Sequence, residues 1–220
     1  MVAAITPQQG MSDDSRRKTT DDRTVGLVID GVALARGMRV IQPALSHSIA
    51  PGGMTLLTGA NGSGKSTLLR AIAGRLRPVA GRISCAVPRL YVGHADGLAA
   101  PLSGRRNLID WAGLNGRPDD ADAIDGALAA MAAGPFSGLP VRMLSRGQRR
   151  RLALARLALS PPGALWLLDE PAAGLDQAAQ AALDRLITAH LDDGGMVMAA
   201  THTPLGAGCA PDELALESMP

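Results

Sequence analysis

The sequence predicts an α/β fold with a mainly parallel core sheet, on three observations. Short apolar runs alternate with amphipathic helical stretches, the pattern of a sheet covered by helices. One run, "MTLL" (54–57), leads straight into a glycine-rich loop that opens a helix. Two more, "ALWLLDEP" (164–171) and "GMVMAATH" (195–202), are nearly continuous in apolar residues, as strands buried on both faces must be.

The elements follow in order. "GLVIDGVALA" (26–35) has the strand character of an opening β-hairpin, which makes the N-terminal β part antiparallel. A Pro-Gly-Gly turn at 51–53 precedes "MTLL", and a helix is expected over about 65–74. "GRISCAVPRLYVGH" (81–94) supplies two short strands broken at Pro88. Residues from about 103 to 133 are rich in Ala and Asp at helical spacing. "LSRGQRRRLALARLALS" (144–160) is a helix with an apolar stripe, and "QAAQAALDRLITAHLDD" (177–193) is amphipathic helix. The chain after 204 is rich in Gly, Ala and Pro and reads as poorly specified.

Composition narrows the function classes. The 220 residues suit one domain. Aromatic residues are only 2% of the chain, so Leu, Ala, Val, Ile and Met must build the core. A net charge of +2 calls for no nucleic-acid partner. No apolar run approaches the roughly 18–20 residues of a membrane span. The opening "MVAAITPQQGMSDDSRRKTTDD" lacks the apolar middle of a signal peptide and reads, over 1–24, as a disordered extension in which Met11 offers an alternative start. Cys85 and Cys209 have no metal or redox spacing and read as two reduced thiols.

The loop "GANGSGKS" (59–66) fits G-x-x-x-x-G-K-[ST]. Across Gly59, Ala60, Asn61, Gly62, Ser63 and Gly64, glycine lets backbone N–H groups turn inward around phosphate oxygens. The helix that begins near Lys65 and continues through Ser66 and Thr67 adds the positive end of its dipole. Lys65 suits the β- and γ-phosphates and the Ser66 hydroxyl suits Mg²⁺. A glycine-rich turn with an incidental lysine would not need the strand–loop–helix order seen here.

In "LWLLDEP", Asp169 ends a buried strand, placed to hold Mg²⁺, and Glu170 is placed to orient and deprotonate an attacking water. Taken alone, one of these acids could cap the next segment while the other is solvated. Ser145 and Gln148 in "LSRGQ" have capping-box spacing, which leaves the N–H groups around Gly147 at a helix start suited to phosphate. On local grounds an ordinary capped helix is the better reading. Arg149, Arg150, Arg151 and Arg156 read by default as a solvated face.

Phosphate loop, "LSRGQ", "LLDEP", "AGLD" and "THT", in that order, resemble the ATP-binding subunit of an ABC transporter, a P-loop NTPase. The resemblance covers about 25–205, with a helical subdomain at about 95–145 and a tail at 206–220. It implies Mg²⁺ and ATP, and an ATP-induced homodimer in which Ser145 and Gly147 of one copy face the γ-phosphate held by the other. It also implies that Asp176 lies in the loop through which the two sites communicate and that His202 contacts the γ-phosphate. The family usually has a glutamine where His94 stands. Gly93-His94, Gly97-Leu98, Asn107-Leu108, Arg36-Gly37 and "LSxGQxRRxALARL" are similar to the haem-exporter ATPases of cytochrome c biogenesis. A neutral imidazole is a weaker choice than a carbonyl for Mg²⁺, which favours oxygen. The family often stacks adenine on an upstream aromatic residue. The matching "LARGMRVIQ" (34–42) has none, so Arg36, Met38 or Arg39 would cover the base, with weak base selectivity.

The resemblance thus implies an ATP-hydrolysing subunit with integral-membrane partners of the cytochrome c maturation type, peripheral on the cytoplasmic face of a bacterial inner membrane, with residues of about 94–140 as the docking surface. A non-transport nucleotide-gated module of the same family would lack multi-pass membrane partners. A small-molecule kinase would need an acceptor site and no LSxGQ.

Overall fold

The computed structural model describes residues 26–36, 39–116 and 120–217. The expected extension over 1–24 lies outside them, as do Met38 and the side chains of Arg36 and Arg39 invoked for adenine.

Two sheets form. β1 (Leu27–Arg36), β2 (Arg39–Ile49) and β4 (Ala80–Cys85) make an antiparallel sheet in the order β2-β1-β4. β3 (Met54–Thr58), β5 (Arg89–Val92), β6 (Leu165–Asp169), β7 (Met196–Ala200) and β8 (Asp212–Ala215) make a parallel sheet in the order β5-β6-β7-β3-β8. The break at Pro88 therefore sends β4 and β5 to different sheets. β8 corrects the expectation of a tail after 205: it pairs with β3, and the Leu216 N–H donates to the Thr58 carbonyl at 2.9 Å. Composition hid this strand because "DELA" carries two exposed acids on an edge, where pairing comes from backbone rather than apolar content.

The continuous apolar runs serve two cores. On β6, Leu165 and Leu167 face the antiparallel side, while Trp166 and Leu168 face the helices. On β7, Met196, Met198 and Ala200 alternate in the same way with Val197 and Ala199. The first core also takes α1 (Lys65–Ile72). The second takes α2 (Gly104–Leu114), α3 (Ala121–Ala130), α4 (Arg146–Ala155) and α5 (Gln177–Asp192). The expected helix over 144–160 is α4 followed by a tighter turn at Arg156–Leu159.

Beneath β6, Trp166 stacks on His190 with ring centroids 3.6 Å apart, and its Nε1 donates to Ser160 Oγ at 2.9 Å. His190 Nε2 is bonded to the Ala164 carbonyl at 2.9 Å, and burial lowers the imidazole pKa below its ordinary value.

Candidate active site

The parallel strands end together, and the loops that follow β3, β5, β6 and β7 carry the predicted side chains. This is the edge at which open α/β sheets bind ligands.

After β3, three glycines make the loop possible. Gly59, Gly62 and Gly64 have φ of 132°, 85° and 100°. At Gly59 a Cβ would lie 2.4 Å from the Leu216 carbonyl oxygen, so the C-terminal strand also enforces glycine there. Gly64 is the left-handed residue before α1, and Lys65 is its first helical residue. Lys65 Nζ donates to the carbonyls of Gly59 and Ala60 at 2.7 and 3.0 Å, so the loop folds over its own ammonium. Ala60, Asn61 and Gly62 are exposed. The buried Ser63 Oγ has no hydrogen-bond partner among the described residues.

At the end of β6, Asp169 is 4% exposed. Ser66 Oγ donates to its Oδ1 at 3.0 Å and Tyr91 Oη to its Oδ2 at 3.3 Å. No motif in the sequence singles out Tyr91. It lies on β5 opposite Leu167, two residues before Asp169 on the neighbouring strand. The Arg75 guanidinium covers its ring at 4.7 Å from the centroid. Gly93 leaves room for it, since a Cβ there would lie 2.9 Å from the ring.

Glu170 has a φ of 49°, unusual for a residue with a side chain, and its N–H donates to the Ala200 carbonyl at 2.8 Å. His202 follows β7 by two residues rather than ending it, and its Nε2 is 3.7 Å from Glu170 Oε1. His94 is exposed, two residues beyond β5. Thr67 is half-buried in the first turn of α1.

The oxygen donors Ser66 and Asp169 suit a hard cation such as Mg²⁺. Among the described residues no three His, Cys, Asp or Glu side chains converge, so such a cation would take its other oxygens from phosphate and water. Exposed loop N–H groups, the α1 N-terminus, Lys65 and the orphaned Ser63 hydroxyl fit a polyphosphate tail.

A second constellation surrounds the start of α4. Ser145 and Gln148 form the expected capping box: the Gln148 N–H donates to Ser145 Oγ at 3.2 Å, and the Ser145 N–H donates to Gln148 Oε1 at 2.9 Å. A Cβ on Gly147 would lie 2.9 Å from the Gly174 carbonyl oxygen, so close approach of two backbones requires this glycine. Asp176 caps α5, its Oδ1 accepting from the Ala179 N–H at 2.8 Å and its Oδ2 from Arg151. The cap to Ala179 and the Arg151 charge lower the Asp176 pKa from its ordinary value. Ser145, Gly147, Gln148, Arg151, Gly174 and Asp176 line an open cleft of about 600 Å³. No residue of the phosphate loop lines it.

The arginine run is not uniformly a solvated face. Arg150 is 4% exposed and reaches the ends of β5 and β6. Arg156 Nη2 donates to the Gly97 carbonyl at 2.8 Å. Helical spacing carried the missing signal: Arg150 lies three and four residues before the buried Ala153 and Leu154, on the same face.

Residues 43–173 match the family model described as ABC transporter. The chain is 46% identical over 179 residues to the cytochrome c biogenesis ATP-binding export protein CcmA of Rhodospirillum rubrum, covering 76% of each chain. It is 46% identical over 187 residues to the CcmA of Rhodopseudomonas palustris, covering 80% of this chain and 91% of the other. Among solved structures, an ATP-binding subunit of an ABC transporter superposes with a TM-score of 0.71 at 21% identity, covering 80% of this chain and 79% of that one. The cbiO1 of Clostridium perfringens, part of the ABC transporter complex cbiONQ, superposes with a TM-score of 0.65 at 24% identity, covering 82% and 79%. The chain belongs to the ABC transporter family, as an ATP-binding, ATP-hydrolysing subunit grouped with the CcmA proteins.

Proposed function

We propose that two copies of this chain sandwich two Mg²⁺–ATP molecules, and that closure and reopening of the pair drive membrane subunits in a haem-related step of cytochrome c maturation. The observation that carries the reading is the separation of the two constellations. The phosphate loop exposes its outer face, Ala60 to Gly62, while the start of α4 opens onto a cleft that no phosphate-loop residue lines. A two-fold pair supplies each with the other.

In that pair the loop N–H groups of 59–64 and Lys65 hold the phosphates, with Thr67 in the same helix turn. Ser66 and Asp169 would hold Mg²⁺, which supplies charge neutralisation at the phosphates. Glu170 orients the water and takes its proton. His202, whose Nε2 is 3.7 Å from Glu170 Oε1, faces the same reacting phosphate. The partner's helix start brings Ser145 and Gly147, with Gln148 fixing the cap, and Asp176 lies where the two sites meet. His94, exposed two residues beyond β5, acts through water, since Mg²⁺ favours oxygen over an imidazole nitrogen.

No helix among the described residues is long and apolar enough to cross a membrane. By analogy with its CcmA relatives, the chain would sit peripherally, on the cytoplasmic side of a bacterial inner membrane, docked through residues of about 94–140. Leu102, Leu114 and Leu139 in this region are exposed. Light scattering of Glu170→Gln with Mg²⁺–ATP tests the pair: a dimer that reverts to monomer on nucleotide removal is expected, and a monomer at saturating ATP would refute it. Co-purification with multi-pass cytochrome c maturation proteins tests the partners.

A further inference from the structure

We infer that Arg150 is a positioning residue, which fixes the Glu170 peptide and the loop carrying His94 to the helix that begins at Ser145. The inference rests on the reading of Glu170 as the group that handles the attacking water.

A guanidinium has five N–H donors in one plane. All five are used here. Nε donates to the Pro171 carbonyl at 3.1 Å. Nη1 donates to the Gly93 carbonyl at 2.8 Å and to Asp96 Oδ1 at 3.4 Å. Nη2 donates to the carbonyls of Asp169 and Glu170 at 3.0 and 2.8 Å. Four of the five acceptors are backbone carbonyls at or just beyond the ends of two neighbouring parallel strands, so the contact sets the chain path at those ends.

Glu170 needs such a hold. Its left-handed backbone is disfavoured for a residue with a Cβ and persists only where surroundings impose it. The Ala200 carbonyl ties its N–H and Arg150 ties its carbonyl. Fixing both groups fixes the Cα–Cβ direction from which the carboxylate extends. The same side chain grips Gly93, the residue before His94, and Arg156 grips Gly97 four residues on. The loop of 93–97 is thus tied twice to the α4 region. A rotation of α4 must carry the Glu170 peptide with it or break these bonds, so docking of the Ser145 end is felt at Glu170.

A buried charge kept only for packing is replaceable by apolar bulk, and often gainfully. A lysine keeps the charge but offers three donors from one point and cannot span both strand ends. Arg150→Lys in the full chain, assayed with its membrane subunits, is expected to lower kcat by about 10²-fold while KM and the nucleotide Kd stay within about threefold. Amide exchange at Glu170 and Ala172, which flank Pro171, should rise about tenfold with 165–168 unchanged. In the native chain with isotope-labelled arginine, Arg150 should show four separate Nη proton resonances from arrested rotation about its C–N bonds, a readout that requires no variant to fold. An unchanged kcat and exchange pattern in Arg150→Lys, a joint loss of binding and global protection, or one averaged Nη resonance would each overturn the inference. A native rate in Glu170→Gln would remove the base assignment alone, because the resonance and exchange data report the grip on the peptide rather than the proton transfer.

Discussion

The phosphate loop and the start of α4 are both glycine-bearing helix N-termini, yet they are finished differently. The loop is held from within: Lys65 bonds its own carbonyls, and the Leu216 strand forbids a side chain at Gly59. Its outer face, Ala60 to Gly62, stays open. The α4 start is closed by its capping box, and its Gly147 is pressed against Gly174. The first is suited to cradling a ligand; the second is a rigid face suited to being presented to one. Chemistry should therefore fail when the first is altered, and assembly when the second is.

The largest expected effect is on the cradle side. Glu170→Gln should lower kcat by about 10²–10⁴-fold with nucleotide binding intact, read by phosphate release and equilibrium titration. Lys65→Ala should weaken binding itself, by about 1.5–3 kcal/mol for a charge-assisted contact, read by calorimetry. If Lys65→Ala bound ATP normally and only turnover fell, the loop would not be the cradle. On the presenting face, Gly147→Ala forces a Cβ against the Gly174 carbonyl at 2.9 Å. It should cost about 1–3 kcal/mol of stability and abolish ATP-dependent dimerisation while monomer binding of ATP persists. Ser145→Ala should cost about 1 kcal/mol through the lost cap, measured by denaturant unfolding, with dimerisation reduced rather than abolished.

The smallest effect calibrates both regions from outside them. Burial holds the folded His190 pKa below its ordinary 6.5, so the unfolded chain takes up its proton first as pH drops. The stability linked to this group is full above about 6.5 and is lost as pH falls through the folded value. His190→Phe keeps the stack on Trp166 and removes the titration, so its melting temperature should fall less than the native chain's between about pH 7.5 and 5.5. Equal slopes would show that His190 carries none of the acid sensitivity.

Sequence by itself determined the parallel core, the loop of 59–67, the acids after β6 and the cap at Ser145. Each is a local pattern, set by a strand period, a glycine conformation or a three-residue cap spacing. Only the tertiary structure decided that Tyr91 bonds Asp169, that Arg150 gathers the ends of β5 and β6, and that residues 212–215 complete the sheet. Those roles join segments between about 20 and 160 positions apart in the chain, and the last two do so through backbone carbonyls that every residue possesses. No side-chain pattern can announce them until folding brings the strand ends together.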